Sequence, residues 1–317
     1  MTTLPASSPV GRIALPGGAG AAPRLAFVEV KAFGDLTITA ASLRRLPPAL
    51  RERIVLVAGD HLADLCRVLA PGCAIELVET GGRDVPALFD VKKHGLRAGA
   101  IAGWRLRRAV ARSAAGCRLV FEKLTRRERF VAGRRAAVCV PKSANVYQAY
   151  ETFLEEAYPG VQLAPITDAD ADAPPTGRRI GLFPLTRVAA KNLAPAFVAT
   201  LARQCMARGF EPVVVLLEGE SFAAPTDLAC HVIPRRFDAL AAEIRSLAAA
   251  VCADSLPAHL VAYAGRPVFV ASPVPNEYWF PLSSFTGHHW GLIDEPQALA
   301  AALERFLQTL PPATAAS

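Results

Sequence analysis

The stretch "CADSLPAHLVAYAGRPVFVAS", residues 252–272, sets an acid, a hydroxyl and a histidine between two apolar runs. The run ending at Cys252 reads as a buried strand. "LPAHLVAYAG" reads as a helix closed by Gly265, and "RPVFVAS" as a second strand. A strand, a helix and a strand in such quick succession form the unit of a parallel α/β sheet. Asp254, Ser255 and His259 then fall where a strand's carboxyl end meets a helix's amino end, the side on which such sheets bind ligands.

The same alternation extends outward in both directions. Strand-like runs recur at residues 25–30, 54–57, 74–78, 118–121 and 136–140, with helix-like segments between them such as 61–69. A second series follows, with strands at 180–183, 212–217, 230–233, 248–252 and 267–271 and helices at 195–208, 237–247 and 296–307. Asp294, with Gln297 three residues on, is the expected cap of the last helix. Between the two series, "TDADADAPPTG" at 167–177 combines acids, small residues and a proline pair, and reads as a linker. The expected architecture is α/β, with two Rossmann-like parallel-sheet domains at 24–166 and 178–317 facing each other across a cleft.

Composition agrees with two cored domains: the chain has 317 residues, 52% of them hydrophobic and 20% charged. Charged residues interrupt every long apolar stretch, so no run of about 18 uncharged residues is available to span a bilayer. Residues 1–23, rich in Ala, Pro, Gly and Ser, lack a basic start and a continuous apolar core, and read as a flexible arm rather than a signal peptide. Seven cysteines, an odd number with no C-x-x-C, fit a reducing cytoplasm. No metal site is expected. "DADAD" at 168–172 sits in the linker, His288 and His289 are adjacent and diverge, and no zinc signature is present. "GGAG" at 17–20 precedes the first strand, whereas a dinucleotide fingerprint must follow one.

Charge is uneven. Residues 1–160 carry 24 Lys+Arg against 14 Asp+Glu, while residues 161–317 carry 11 against 14. Between 83 and 135, 15 basic residues face four acidic ones, so the first half expects an anionic partner. Within it, "RAGAIAGWRLRRAVAR" at 97–112 has helical periodicity. Arg97, Trp104, Arg105, Arg108 and Arg112 gather on one face, opposite Ala102, Leu106, Ala109 and Val110.

Three constellations carry the chemistry. In "EVKAFGDLTITAASLRRL", 29–46, Gly34 permits a tight turn and Asp35 precedes a helix whose Leu43 and Leu46 point inward. Asp35 is either a helix cap or a carboxylate that takes a proton from a bound hydroxyl. In "FPLTRVAAKNLAP", 183–195, Thr186, Arg187 and Lys191 bring a hydroxyl and two cations to a loop before a helix, as a phosphate site would. The alternative there is a solvated loop. The third is the opening stretch, where the helix amides and Ser255 can hold an anion and His259 lies one turn further along the same face.

Taken in order, these segments resemble glycosyltransferase family 9, the heptosyltransferases of the lipopolysaccharide inner core. Gly34 and Asp35 match the family's early G-D motif, which supplies the general base. Thr186 and Lys191 match its T-x-x-x-x-K donor loop. "DSLPAHLVAYAGRP" follows D-[ST]-G-x-x-H-L-x-A-A-x-G-x-P through Asp254, Ser255, His259, Leu260, Ala262, Gly265 and Pro267. "NVYQAYETFL" looks like the segment leading out of the family's first domain. There are three departures: Leu256 and Pro257 follow Ser255 where a glycine is usual, Leu193 stands where a tryptophan is usual, and "SPVPNEYW" at 272–279 replaces a G-P-T turn.

The resemblance implies a GT-B fold and an inverting, metal-independent and cofactor-free transferase working in the cytoplasm, peripherally at the inner membrane face. Asp35 would be the base. Thr186, Arg187, Lys191, Asp254, Ser255 and His259 would bind the nucleotide-sugar donor, with ADP-heptose foremost. Arg97, Arg105, Arg108 and Arg112 would meet a phosphorylated lipopolysaccharide core or similar anionic glycan; no nucleic acid is implied. The rival expectations are a nucleotide-sugar epimerase of the same architecture and a catalytically degenerate glycan- or nucleotide-binding protein.

Overall fold

The computed structural model describes residues 24–79, 86–165 and 177–311. The arm expected at 1–23, and the expected linker apart from Gly177, lie outside the described residues. Eleven strands among the described residues form two sheets, both wholly parallel.

The first sheet contains β1 (Leu25–Glu29), β2 (Ile54–Gly59), β3 (Ala74–Val78), β4 (Arg118–Phe121) and β5 (Ala137–Cys139), in the order β3-β2-β1-β4-β5. The second contains β6 (Arg179–Phe183), β7 (Glu211–Leu217), β8 (Ala229–Ile233), β9 (Ala249–Ala253), β10 (Val268–Ser272) and β11 (Trp290–Leu292), in the order β11-β10-β9-β6-β7-β8. The ten expected strands are all present, with ends shifted by a residue or two. The eleventh, "WGL", is too short to show a period. It exists because Val270 to Ser272 offer it a paired edge.

Burial follows position in the sheet. The central strands β1 and β9 are buried at every residue and read as continuous apolar runs, whereas the edge strands β3 and β8 are exposed at all but the last. In both sheets the chain order reverses beside the first strand, between β1 and β4 and between β6 and β9. Loops leaving those two pairs of strands therefore splay apart and leave a crevice at each sheet's carboxyl edge.

The two sheets are held together by a shared core. One cluster of buried side chains runs from Phe27, Leu36 and Tyr150 to Phe183, Val261 and Phe280. The helices Phe33–Arg44 and Leu256–Tyr263 pack on each other across it, as do Ala63–Leu69 and Phe237–Ser246. Asn145, fully buried, caps the helix Val146–Ala157 by accepting from the Tyr147 amide. Its side-chain amide donates to the carbonyls of Glu277 (3.1 Å) and Phe280 (2.9 Å) in the other half.

The opening stretch forms the expected unit of β9, the helix Leu256–Tyr263 and β10. Gly265, at φ +66°, closes the helix. Its amide donates to Ala262 and that of Arg266 to Val261, the paired bonds of a left-handed stop that only glycine enters without strain.

Two local expectations are corrected. Asp294 does not cap the last helix, Pro296–Thr309; the N-cap is Glu295, which makes no side-chain capping bond, and Pro296 sets the first helical φ. Gly34 makes no tight turn. It lies in the first turn of Phe33–Arg44 with an ordinary φ, and a Cβ there would meet the His259 ring at 3.8 Å, an ordinary contact.

Candidate active site

A cavity of about 780 Å³ lies between the carboxyl ends of the two sheets, at both reversal points. The first sheet contributes Lys31 and Phe33 after β1, Asp35 in the first turn of the helix that follows, and Glu122 and Lys123 after β4. The second contributes Thr186, Arg187 and Lys191 after β6, Asp254, Ser255 and His259 after β9, and Asn276 and Trp279 after β10.

Asp35 occupies the third helical position. The N-cap is Ala32, so the capping alternative fails and the Asp35 carboxylate borders the cavity in the helix's first turn. Burial pushes its carboxyl above the usual range, while Lys31, Lys123 and Arg187 pull it back. Glu122 is raised too, by burial and then by the Asp35 charge. A proton acceptor held above the ordinary carboxylate range is suited to base work near neutrality.

Behind Asp35, a second cavity of about 50 Å³ is bordered by Glu29, Asp35 and Glu122. Glu29, the last residue of β1, is 5% exposed. Its Oε1 accepts from the hydroxyls of Thr39 (2.7 Å) and Tyr150 (3.1 Å), which are themselves 2.8 Å apart. Burial first and Asp35 second push its carboxyl up to about 8, so Glu29 keeps its proton in the folded chain where an unfolded glutamate has lost it.

The folded state therefore binds the extra proton between about pH 4.3 and 8, and stability falls as pH rises through that window. His259 works in the opposite sense, but only below about pH 6.5. Glu29→Gln is expected to reduce the loss of stability between pH 6.5 and 8 by on the order of 1 to 2 kcal/mol. Asp35 and Glu122 are shifted in the same direction and act in the same sense. Urea unfolding at three pH values measures this; an unchanged slope would clear Glu29 of the effect.

On the opposite wall, Lys191 ends a short turn, Ala189–Lys191, and its Nζ lies 2.7 Å from Asp254 Oδ2. Asp254 is 7% exposed and also accepts from Asn276 Nδ2 at 3.3 Å. Thr186 shapes the loop. Its hydroxyl donates to the Val188 carbonyl and accepts from the Val188 amide, while its own amide donates to Asn192 Oδ1. Ser255 is the N-cap of Leu256–Tyr263, but its hydroxyl donates back to Ala253 at 3.1 Å and no side chain caps the helix. The amino end of that helix borders the cavity, with Pro257 removing one amide.

His259 is buried, its Nδ1 2.9 Å from the hydroxyl of Tyr147 in the other half. Burial pushes it down to about 4, so the ring is neutral at neutral pH and is no cation for a phosphate. It meets the cavity as a neutral hydrogen-bonding group.

The four arginines expected to meet the acceptor lie outside this cavity. Arg97, Arg105, Arg108 and Arg112 are exposed on the helix Leu96–Ser113, whose other face buries Leu106 and Val110. Arg108 lies over the exposed Trp104 ring at 4.6 Å. None of the four borders the cavity. The cations that do border it from the first sheet, Lys31 and Lys123, escaped sequence reading, as did Glu122, Asn276 and Trp279. Lys31 follows β1 and Glu122–Lys123 follow β4, so the strand order would have located them, but that order is invisible before the sheet is assembled.

No family model matches the sequence, and no curated protein matches it at the level of sequence. Solved structures do match its fold. A glycosyl transferase family 9 structure from Veillonella parvula superposes with a TM-score of 0.60 at 14% identity, covering 90% of this chain and 97% of that one. The E. coli heptosyltransferase WaaC, solved with ADP, gives 0.61 at 14% identity, covering 90% and 99%. E. coli ADP-heptose lps heptosyltransferase II gives 0.56 at 16% identity, covering 90% and 98%. The likeness extends over nine-tenths of the chain, and the chain, with its two wholly parallel sheets meeting at their carboxyl edges, has the GT-B fold of these glycosyltransferase structures.

Proposed function

We propose that this protein is an inverting glycosyltransferase that moves a sugar, heptose from ADP-heptose foremost, onto a phosphorylated lipopolysaccharide core or similar anionic glycan. The observation that carries this reading is a single cavity with a raised carboxylate, Asp35, on one wall and Lys191, Arg187 and an uncapped helix end on the other. Asp35 takes the proton of the acceptor hydroxyl as that oxygen attacks the anomeric carbon. The diphosphate leaves from the opposite face, so the anomeric configuration inverts. Arg187, Lys191 and the amino end of Leu256–Tyr263 take up the charge on the departing oxygens, and in this reading they do so without a metal. The ADP part of the proposal rests on the likeness to an enzyme solved with ADP.

The test is incubation with a panel of nucleotide sugars, with and without extracted core glycolipid. Acceptor-dependent ADP release with an inverted glycosidic product is expected. Sugar interconversion without transfer would point instead to an epimerase, and binding without turnover to a degenerate binding protein.

The basic helix face lies outside the cavity; in this reading it meets remote phosphates of the acceptor and the anionic inner membrane surface that presents it. Among the described residues no helix is long and apolar enough to cross a membrane. Changing Arg105, Arg108 and Arg112 together to Gln should raise the acceptor's KM and flatten its salt dependence while ADP affinity holds. Wild-type acceptor kinetics across the salt series would reduce this face to ordinary surface.

A further inference from the structure

The turn after β10 has a construction that the proposed chemistry leaves unused. Trp279 is the one tryptophan bordering the main cavity among the described residues. Leu193, where the family resemblance expects a tryptophan, is instead 2% exposed in the core of the second sheet. The turn Glu277–Trp279 is fastened at both ends. Asn145 donates to the carbonyls of Glu277 and Phe280, Phe280 is fully buried, and Asn276 reaches back to Asp254. Tyr278 packs edge-on against the indole, with ring centroids 4.9 Å apart at 88°.

Part of the indole stays exposed and borders the cavity. Lys123 Nζ, from the loop after β4, lies 4.4 Å from its ring centroid. Lys123 also pairs with Glu122 at 3.2 Å, and its charge acts on Asp35. Trp279 thus arises from the donor sheet but faces the wall that carries the base. A flat apolar surface beside a carboxylate, an ammonium and a second carboxylate matches a ligand with one C–H face and an edge of hydroxyls, which is a sugar ring. The attraction of Lys123 to the indole face reflects the same preference for weakly positive groups that C–H bonds satisfy.

We propose that Trp279 is a specificity-determining residue, the platform on which the sugar ring nearest Asp35 packs, with Lys123 and Glu122 holding that ring's hydroxyls. This inference rests on the glycosyltransferase reading. The ring belongs either to the donor or to the acceptor, and the assay separates the two.

Trp279→Leu keeps an apolar side chain and removes the π face; Trp279→Phe keeps a smaller one. Both are compared with wild type by calorimetry against ADP and against ADP-heptose, and by steady-state kinetics with core glycolipid. The Leu variant should bind ADP as wild type does. It should lose roughly tenfold either in affinity for ADP-heptose, which assigns the donor ring, or in KM for the glycolipid, which assigns the acceptor ring. The Phe variant should recover most of the loss. Unchanged sugar binding and KM in the Leu variant would overturn the inference while leaving the transferase reading in place. So would an equal loss for ADP alone, because that would mark a merely structural residue. Failure of the wild type to bind ADP or ADP-heptose would overturn the transferase reading itself, and this inference with it.

Discussion

Asp35→Asn is expected to lower turnover by roughly 10²- to 10⁴-fold, the usual contribution of a positioned acid or base, with ADP affinity close to wild type. The split follows from geometry. Asp35 sits on the wall of the first sheet, while Lys191, Asp254 and the helix Leu256–Tyr263 that would meet the diphosphate belong to the second. Asparagine preserves the shape and removes both the negative charge and the ability to accept a proton. It also removes the charge that raises Glu29 and Glu122, so the variant should be no less stable than wild type at pH 8. Single-turnover transfer and ADP calorimetry on one preparation would measure both halves. Turnover within threefold of wild type would end the assignment of Asp35 as base.

Lys191→Ala should weaken ADP binding by roughly 10- to 150-fold, the range for losing a hydrogen bond to a charged group. A second consequence follows from the 2.7 Å pair with Asp254. The substitution leaves a carboxylate that is 7% exposed with Asn276 as its remaining partner. Removing one member of a buried pair costs more than the pair contributes. With the Lys191 side chain 30% exposed, the expected loss of stability is about 1 to 3 kcal/mol. Lys191→Ala/Asp254→Asn should restore most of that stability without restoring ADP affinity. Equal ADP affinity in wild type and Lys191→Ala would remove Lys191 from the donor site, whatever happens to stability.

The opening stretch shows how far sequence reading reaches. Cys252 to Ser272 announced a strand, a Gly-closed helix and a strand, and all three are present because each depends on local chemistry: apolar runs, a left-handed glycine, a turn at Arg266–Pro267. The parallel two-sheet plan followed from repetition of that unit. Asp35, Lys191, Asp254, Ser255 and His259 could be placed at one cleft for the same reason, since each follows a strand's carboxyl end by no more than eight residues.

What lay beyond reach depends on strand order and on contacts between distant segments. Lys31 and Lys123 are 92 positions apart in sequence and share a cavity wall because β1 and β4 are neighbours. The charge state of His259 is one such case: its Nδ1 meets the Tyr147 hydroxyl from the other half of the chain, and burial between the two halves leaves the ring neutral. The arginine stripe was correctly gathered on one face, but only the packed structure shows that none of its four arginines borders the cavity. Trp279 carried no signal beyond an unusual turn, and Asn145 and Lys123, both far away in sequence, give it its place. Local hydrogen bonding and hydrophobic period are written residue by residue; which walls of a cleft face each other is set by long-range burial, which no short stretch encodes.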